Sequence, residues 1–172
     1  ALPICFEKPS VIQQKAIKPL SQGKDIIAQA QSGTGKTGTF CIGSLQLIDE
    51  SNTNTQIVII SPTRELARQT YTVCSNLNSY LDYEILLLIG GSNINEAKTQ
   101  LKKGVQIVIG TPGRLLHMLN DNYLDPKTIR LLVIDEADEL LSIGFEEQIQ
   151  SIMYKLSKET QIALFSATLP EG

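Results

Sequence analysis

The stretch RLLVIDEADEL, residues 130–140, joins a short apolar run to a cluster of acidic residues. Residues 131–134 are all leucine, valine or isoleucine, which is typical of a strand buried on both faces of a parallel sheet. Asp135, Glu136 and Asp138 follow directly. Because ligands of parallel α/β sheets collect at the carboxyl ends of the strands, these acids mark a candidate functional site.

The rest of the chain repeats this organisation of apolar runs separated by helical patterns. Five further runs occur at DIIAQA (25–30), QIVIIS (56–61), EILLLIG (84–90), VQIVIG (105–110) and QIALFS (161–166). Apolar residues recur at helical spacing from Ile12 to Leu20, from Leu66 to Leu81 and from Phe145 to Leu156. The alternation predicts an α/β domain built as a doubly wound parallel sheet with helices on both faces.

Composition narrows the class of protein. The 172 residues are 42% hydrophobic and 19% charged, which suits a globular domain with a buried core. No apolar run approaches the roughly 20 residues of a membrane span. The net charge of −3 argues against binding nucleic acid through a diffuse basic surface. The three cysteines are scattered and lack metal-ligand spacing, as expected in a reducing compartment.

A second predicted strand end carries AQSGTGKT, residues 30–37. Glycines let backbone N–H groups turn toward a polyphosphate, and the N-terminus of the following helix adds positive potential. In such a Walker A loop, Lys36 would reach the β- and γ-phosphates, and the Thr37 hydroxyl would bind Mg²⁺. Ala30 stands where that pattern has its first glycine. The alternative interpretation is a flexible turn rich in glycine, serine and threonine.

The acids after residue 134 suit the same chemistry. Asp135 would hold Mg²⁺ as a Walker B aspartate, and Glu136 would orient and polarise the attacking water. The predicted catalytic residues are therefore Lys36, Asp135 and Glu136, and the predicted metal ligands are Thr37 and Asp135. The alternative is an acidic first turn that stabilises a helix dipole, which explains only one or two of the acids.

Six motifs give the chain a resemblance to the DEAD-box RNA helicases. They occur in that family's order: FEKPSVIQQ (6–14), AQSGTGKT (30–37), PTRELA (62–67), TPGR (111–114), DEAD (135–138) and SAT (166–168). The sequence around these motifs is most similar to that of the eukaryotic initiation factor 4A subgroup. The resemblance implies a RecA-like P-loop NTPase fold that binds ATP or ADP with Mg²⁺. It also implies that ATP hydrolysis drives RNA strand separation in the full-length protein.

The resemblance extends the ATP site to Phe6 and Gln13, in the adenine-sensing motif. The Gln13 amide can pair with adenine, donating to N7 and accepting from N6, and so select ATP over GTP. The spacing Ser10-x-x-Gln13 is also a capping box at a helix start, and both interpretations can hold together. The predicted ATP-binding residues are Phe6, Gln13, Ala30, Gln31, Ser32, Gly33, Thr34, Gly35, Lys36 and Thr37.

The resemblance also implies a path for single-stranded RNA. Thr63 and Thr111 are predicted N-cap residues, and Arg64 and Arg114 stand beside them. A capped helix N-terminus with a nearby guanidinium group suits a phosphate, so RNA should be bound through its backbone, independently of sequence. The predicted RNA-binding residues are Pro62, Thr63, Arg64, Gly90, Gly91, Thr111, Pro112, Gly113 and Arg114.

Ser166 and Thr168, again by resemblance, hydrogen-bond with the DEAD acids and couple the nucleotide to strand separation. Asp138 is their expected partner, and an ordinary serine–threonine turn is the alternative. His117 lies in a helical stretch and is assigned no role. Cys41 and Cys74 are expected to be packing residues.

The family has two RecA-like domains, so residues 1–172 are expected to be the N-terminal ATP-binding domain, nearly inactive alone. The second helicase domain is expected in cis, outside residues 1–172. Expected partners are single-stranded RNA and a scaffold protein of the initiation-factor type, with no membrane. The expected process is translation initiation or related mRNA metabolism. The expected location is the cytoplasm, or the nucleus for an exon-junction paralogue.

Two other functions stay open at this point. One is a different phosphate-loop ATPase, such as a DNA helicase or a transporter subunit, although PTREL, TPGR and SAT together argue against it. The other is a non-catalytic scaffold that binds nucleotide or protein without turnover, although Lys36, Asp135 and Glu136 are all present.

Overall fold

Residues 10–31 and 33–169, which the computed structural model describes, form six strands and seven α-helices. The strands are β1 (Ile26–Gln29), β2 (Ile57–Ile60), β3 (Ile85–Leu88), β4 (Ile107–Gly110), β5 (Leu131–Ile134) and β6 (Gln161–Ser166). The helices are α1 (Val11–Ser21), α2 (Lys36–Leu47), α3 (Arg64–Leu77), α4 (Ile94–Lys103), α5 (Pro112–Asn120), α6 (Ala137–Ile143) and α7 (Glu146–Lys155). All six predicted strands are confirmed.

The strands form one sheet in the order β1-β6-β5-β2-β4-β3, and every neighbouring pair is parallel. Strands β2, β4 and β5 are buried at every position, which explains why their sequences are continuously apolar. The edge strand β1 alternates between half-buried and exposed residues, and Ile27 is 72% exposed.

Successive residues of a central strand enter different cores, because side chains alternate between the two faces of a sheet. In β2, Ile57 and Ile59 belong to one core, whereas Val58 and Ile60 belong to the other. The first core contains buried residues of α1, α2 and α3, and the second contains buried residues of α4, α5, α6 and α7. The predicted doubly wound arrangement is therefore confirmed.

Helix α3 is shorter than predicted, and its predicted face (Leu66, Thr70, Val73, Leu77 and Leu81) is confirmed only in part. It ends at Leu77 and continues as a short 3₁₀ turn, so Leu81 lies beyond it and is 46% exposed. Its buried residues are Ala67, Thr70 and Cys74. Small side chains allow the helix to lie close to the sheet, and the half-buried Val73 and Leu77 pack against the same core. Within the described part of the chain, no helix is long and apolar enough to span a membrane.

The carboxyl ends of the strands meet at one edge of the sheet. The Ala30 N–H donates to the Ser166 carbonyl (2.9 Å), so the loop after β1 starts beside the end of β6. The Asp135 N–H donates to the Ile60 carbonyl (3.0 Å), so the acid after β5 starts beside the end of β2. Segments more than 100 residues apart in sequence are thus brought to the same edge.

Candidate functional site

The loop between β1 and α2 has the backbone geometry that a phosphate loop needs. Gly33 and Gly35 both have φ +83°, a left-handed conformation that other residues rarely adopt. A Cβ on Gly35 would also lie 2.8 Å from Nε2 of Gln13. Gly35 is the N-cap residue of α2, which places Lys36 in the first turn of that helix. At Gly35, both the left-handed backbone and the lack of room for a side chain therefore require glycine.

Lys36 contacts both acids that follow β5. Its Nζ lies 2.8 Å from Oδ1 of Asp135 and 3.1 Å from Oε1 of Glu136. The Lys36 and Asp135 side chains are buried, and Glu136 has a left-handed backbone, with φ 51°. Non-glycine residues adopt this conformation at a cost of roughly 1 kcal/mol or more, and such strain is common at functional sites. The three predicted catalytic residues are thus brought together.

Burial has the largest effect on the pKa of Asp135, whereas a hydrogen bond has the largest effect on that of Glu139. Burial raises the pKa of Asp135, and the Lys36 ammonium opposes that shift by stabilising the carboxylate. A side-chain hydrogen bond with Glu136 raises the pKa of Glu139, and burial adds to the effect. The positive charge of Lys36 favours the ionised form of the acids beside it. A bound polyphosphate would compete with these acids for the Lys36 ammonium.

A cavity of about 360 Å³ lies next to these residues, within the usual range for a ligand site. Its lining includes Gly33, Lys36, Thr37, Asp135 and Glu136. Helix α3 closes the other side through residues that the sequence analysis did not select: Leu66, Gln69, Thr70 and Val73.

The residues of this cavity fit a magnesium ion that is also bound by phosphate and water. Oδ1 of Asp135 is buried and has no hydrogen bond of good geometry, although the Lys36 ammonium is near it. Thr37 lines the same cavity, and hydroxyl and carboxylate oxygens are the hard ligands that Mg²⁺ prefers. Among the described residues, no group of three or more histidine, cysteine or acidic side chains could hold a metal.

Gln13 caps helix α1 and also contacts the phosphate loop. Its Oε1 accepts from the Ser10 N–H (2.9 Å), and its N–H donates to Ser10 Oγ (3.3 Å), which confirms the capping box. Its Nε2 donates to the Gly35 carbonyl (3.4 Å). Adenine recognition by Gln13 stays a prediction. An adjacent cavity is lined by Ser10, Val11, Ile12, Lys15, Gln29, Ala30, Gln31 and Thr34. Phe6 and Ser32 lie outside the described residues.

Asp138, Ser166 and Thr168 form a closed ring of hydrogen bonds. The Asp138 N–H donates to Ser166 Oγ (3.2 Å), and Ser166 Oγ donates to the Thr168 carbonyl (2.6 Å). Thr168 Oγ1 donates to Oδ2 of Asp138 (3.1 Å). The expected contact between the SAT motif and Asp138 is thus present, and it connects β6 with α6. Its role in coupling stays a prediction.

This ring predicts a pH-dependent contribution to stability. Burial alone would raise the pKa of Asp138, but hydrogen bonds from Thr168, Ser166 and backbone N–H groups lower it below 3.8. A lowered folded-state pKa stabilises the protein above the unfolded value, and this contribution is lost as pH falls through the folded value. We therefore expect Thr168→Val to lower the melting temperature at pH 7.

The same variant should differ progressively less from wild type as pH falls below 3.8, because Asp138 becomes protonated in the folded protein over that range. Thermal melts of both proteins between pH 7 and pH 2.5 measure the difference. Thr99→Val is a matched control, because the exposed Thr99 hydroxyl contacts only a carbonyl of its own helix. A melting-temperature difference that stays constant over the whole range would contradict the prediction.

A second concave surface, the basic groove, lies at the same edge of the sheet. We define it by its lining residues: Pro62, Thr63, Arg64, Gly90, Thr111, Gly113, Arg114, His117 and Phe145. Seven of the nine predicted RNA-binding residues line this groove. Of the other two, Gly91 lies against Arg64, and Pro112 is buried in the first turn of α5. Arginines at two helix N-termini suit phosphate groups.

The turn after β3 holds Arg64 in the basic groove. A Cβ placed on Gly90 would lie 3.0 Å from Nη2 of Arg64, and one on Gly91 would lie 3.3 Å from Nη1. The guanidinium group therefore packs against the backbone of these two glycines, in space that a side chain would otherwise occupy. This contact gives a structural reason for the Gly90-Gly91 pair.

Gly90→Ala is expected to weaken RNA binding by roughly threefold to tenfold, because the new methyl group displaces the Arg64 guanidinium from one charged contact. Fluorescence anisotropy with a labelled single-stranded RNA measures the change. In an Arg64→Ala background, the same alanine should have no further effect, because the displaced group is already gone. Additive losses from the two substitutions would show that Gly90 acts independently of Arg64.

The structure corrects the expectation for Thr111. Thr63 caps α3, since its Oγ1 accepts from the Leu66 N–H (3.2 Å). Thr111 occupies the N-cap position of α5, but its hydroxyl makes no capping hydrogen bond. Pro112 at the first helical position does not account for this, because a capping side chain accepts from the N–H groups of the next two residues, Gly113 and Arg114. Thr111 is half-buried and lines the groove instead.

His117 and Phe145 line the basic groove, although the sequence analysis assigned them no role there. Arg114 and His117 are three residues apart on α5, a spacing that puts both on one helix face. That spacing was the available signal for His117. Cys41 and Cys74 are buried packing residues, as expected. Their mutual hydrogen bond and their burial raise the pKa of the Cys41 thiol.

A glycine loop, a helix N-terminus and acids on a nearby strand define this protein as a phosphate-loop nucleotide-binding domain. Residues 10–172 match the family described as DEAD/DEAH box helicase. The chain therefore belongs to the DEAD/DEAH box helicase family, and nucleotide use follows from that membership.

Relatives and solved structures support this assignment. The chain is 48% identical to eukaryotic initiation factor 4A of Caenorhabditis elegans and 48% identical to the ATP-dependent RNA helicase eIF4A of Lodderomyces elongisporus. The alignments cover 96% of this chain in both cases, and 41% and 42% of those proteins. The chain thus spans about two fifths of the length of these relatives.

Two solved structures show the same fold. A DEAD box protein from Methanococcus jannaschii aligns with a TM-score of 0.88 and 39% identity, over 96% of this chain and 45% of that one. Dbp5 of Saccharomyces cerevisiae, bound to Nup159, Gle1, IP6 and ADP, aligns with a TM-score of 0.87 and 33% identity. That alignment covers 96% of this chain and 44% of Dbp5. The predicted RecA-like fold is confirmed.

Proposed function

We propose that this chain is the N-terminal, ATP-binding domain of an ATP-dependent RNA helicase of the initiation factor 4A type. The observation that carries this proposal is the contact of Lys36 with both Asp135 and Glu136 beside the phosphate loop. A lysine and two acids at this distance suit the binding and hydrolysis of a nucleoside triphosphate. The name of the Lodderomyces relative supports the same activity.

The chemistry divides among residues of the cavity beside Lys36. The Lys36 ammonium would move from the acids to the β- and γ-phosphates of bound ATP and neutralise their charge. Thr37 and Asp135 would hold Mg²⁺, which when bound neutralises phosphate oxygens. Glu136 would orient the attacking water and accept its proton as ADP and phosphate form. Asp138, Ser166 and Thr168 would transmit the state of this site to RNA strand separation.

The basic groove supports binding of single-stranded RNA through its sugar-phosphate backbone. Arg64 and Arg114 donate hydrogen bonds in a planar geometry that matches phosphate oxygens, and such contacts are independent of base sequence. Helix α3 starts in this groove and then lines the nucleotide cavity with Leu66 and Thr70. A rigid helix shared by two sites supports coupling between RNA and nucleotide.

The whole protein is proposed to have a second helicase domain in cis, because this chain spans only part of its relatives. That domain would supply an arginine to the ATP site, a contribution worth roughly 10³–10⁵ in rate in related phosphoryl-transfer enzymes. The single domain is therefore expected to be nearly inactive. A scaffold protein of the initiation-factor type, a role in translation initiation and a cytoplasmic location complete the proposal. A nuclear location would instead indicate an exon-junction role.

The test is ATP hydrolysis by the full-length protein with single-stranded RNA or DNA of equal length and sequence. We expect RNA to stimulate hydrolysis strongly, RNAs of different sequence to act alike, and a short RNA duplex to be unwound only with ATP. Stimulation by DNA equal to that by RNA would contradict the RNA assignment. Nucleotide binding without any turnover would instead indicate a scaffold.

A further inference from the structure

The basic groove contains an imidazole that the proposed function does not use. His117 lies on α5 with Arg114, and both side chains line the groove. The His117 side chain is 47% exposed. A ligand that follows the groove past Arg114 can therefore reach the ring.

An acid at the end of α5 holds the His117 ring by one of its two nitrogens. Nε2 of His117 lies 3.0 Å from Oδ2 of Asp121, the C-cap residue of that helix. Nζ of Lys98 on α4 lies 3.8 Å from the same oxygen, so a second cationic side chain faces this carboxylate. A carboxylate beside Nε2 favours a proton on that nitrogen. Nδ1 is then the ring nitrogen that remains for a ligand.

The chemistry of Nδ1 differs from that of the other charged groups in the groove. Arg64 and Arg114 can only donate hydrogen bonds, so they suit phosphate oxygens. Nδ1 of a neutral imidazole accepts a hydrogen bond, which disfavours phosphate and suits a hydroxyl group. On a nucleic-acid backbone, the group that both donates and accepts is the ribose 2′-hydroxyl, which DNA lacks. It can bind Nδ1 whether or not that nitrogen carries a proton.

We propose that His117, oriented by Asp121, binds a ribose 2′-hydroxyl and favours RNA over DNA. His117 is then a specificity-determining residue of the basic groove. This inference rests on the proposed function, since it assumes that a nucleic-acid backbone occupies the groove. Beyond that function, the discrimination between RNA and DNA is assigned to one side chain, His117.

The experiment compares wild type with His117→Phe, which keeps an aromatic ring and removes both nitrogens. Binding of the full-length protein to a labelled 12-nucleotide RNA, and to DNA of the same sequence, is measured with Mg²⁺ and a nonhydrolysable ATP analogue. Losing one hydrogen bond should weaken RNA binding about threefold to tenfold. DNA binding should stay within about twofold, so the RNA-to-DNA affinity ratio falls.

A set of RNAs, each with a single 2′-deoxynucleotide, gives a readout that a merely structural role would not change. Wild type should lose affinity for an RNA that lacks the contacted hydroxyl, whereas His117→Phe should not distinguish that RNA from the parent. His117→Gln, whose amide can still donate and accept, should restore part of the preference. Asp121→Ala should reduce the preference, because the ring loses the acceptor that orients it.

Two outcomes would overturn the inference alone. Equal losses on RNA and DNA would show that His117 binds phosphate or only supports the helix. Unchanged RNA and DNA binding in His117→Phe would show that the ring contacts neither. Arg64→Ala should weaken both ligands, which shows that the groove is in use. If wild type bound no RNA, the proposed function would itself fail, and this inference with it.

Discussion

Glu136→Gln is expected to lower RNA-stimulated ATP hydrolysis by the full-length protein about 100-fold or more, because a general base typically contributes 10²–10⁴ in rate. The amide keeps the size of the side chain but cannot accept a proton from water. Binding of ATP should change little, since Lys36 and the phosphate loop are intact. Steady-state turnover and equilibrium binding of a fluorescent nucleotide separate these two effects.

Glu147→Gln is the matched control, because Glu147 is an exposed acid of α7, away from the cavity. It should leave both turnover and binding unchanged. If Glu136→Gln hydrolysed ATP at the wild-type rate, Glu136 would have no catalytic role. The protein would then either use another general base or act as a scaffold without a catalytic role for this acid.

Lys36→Ala is expected to weaken nucleotide binding about 10-fold to 100-fold, the usual contribution of a charged hydrogen bond to phosphate. It should also destabilise the free protein by about 3 kcal/mol or more, because Asp135 would be left buried without its partner. Calorimetric titration with ADP and Mg²⁺ measures the first effect, and chemical denaturation measures the second.

The two effects of Lys36→Ala can be separated with a second substitution. Adding Asp135→Asn removes the unpaired charge, so it should recover stability without recovering nucleotide affinity. Lys158→Ala, at an exposed position, should change neither quantity. Full recovery of binding in the double variant would show that Lys36 acts only by neutralising Asp135, and would contradict its assignment to the phosphates.

The fold was predictable from sequence because its strands are so thoroughly buried. The central strands, such as residues 57–60 and 131–134, are covered on both faces, so they had to be apolar throughout. The face of α3 was less predictable. The helical spacing correctly placed Thr70 on the buried face, but it missed the small buried residues Ala67 and Cys74. Small residues carry little hydrophobic signal but allow the closest approach.

The nucleotide cavity was predictable where it follows local chain geometry. The phosphate loop and the DEAD acids each end a strand, so their meeting follows from the parallel sheet. The basic groove depends instead on how separate segments pack. His117 joins the groove only because α5 lies beside the turn that carries Gly90. In the same groove, the Thr111 hydroxyl does not cap its helix. The Arg114–His117 spacing was the one local signal for His117, whereas the missing cap of Thr111 has no signature in a single stretch of sequence.

Calorimetry tests most directly whether the carboxyl edge of this sheet is an adenine-nucleotide site. The full-length protein is titrated with ADP and with GDP in the presence of Mg²⁺. We predict one ADP bound per chain, and GDP binding weaker by about tenfold or more, because Gln13 would lose one base contact. Absence of ADP binding would contradict the account of the phosphate loop, and equal affinities would contradict the role of Gln13 in selecting adenine.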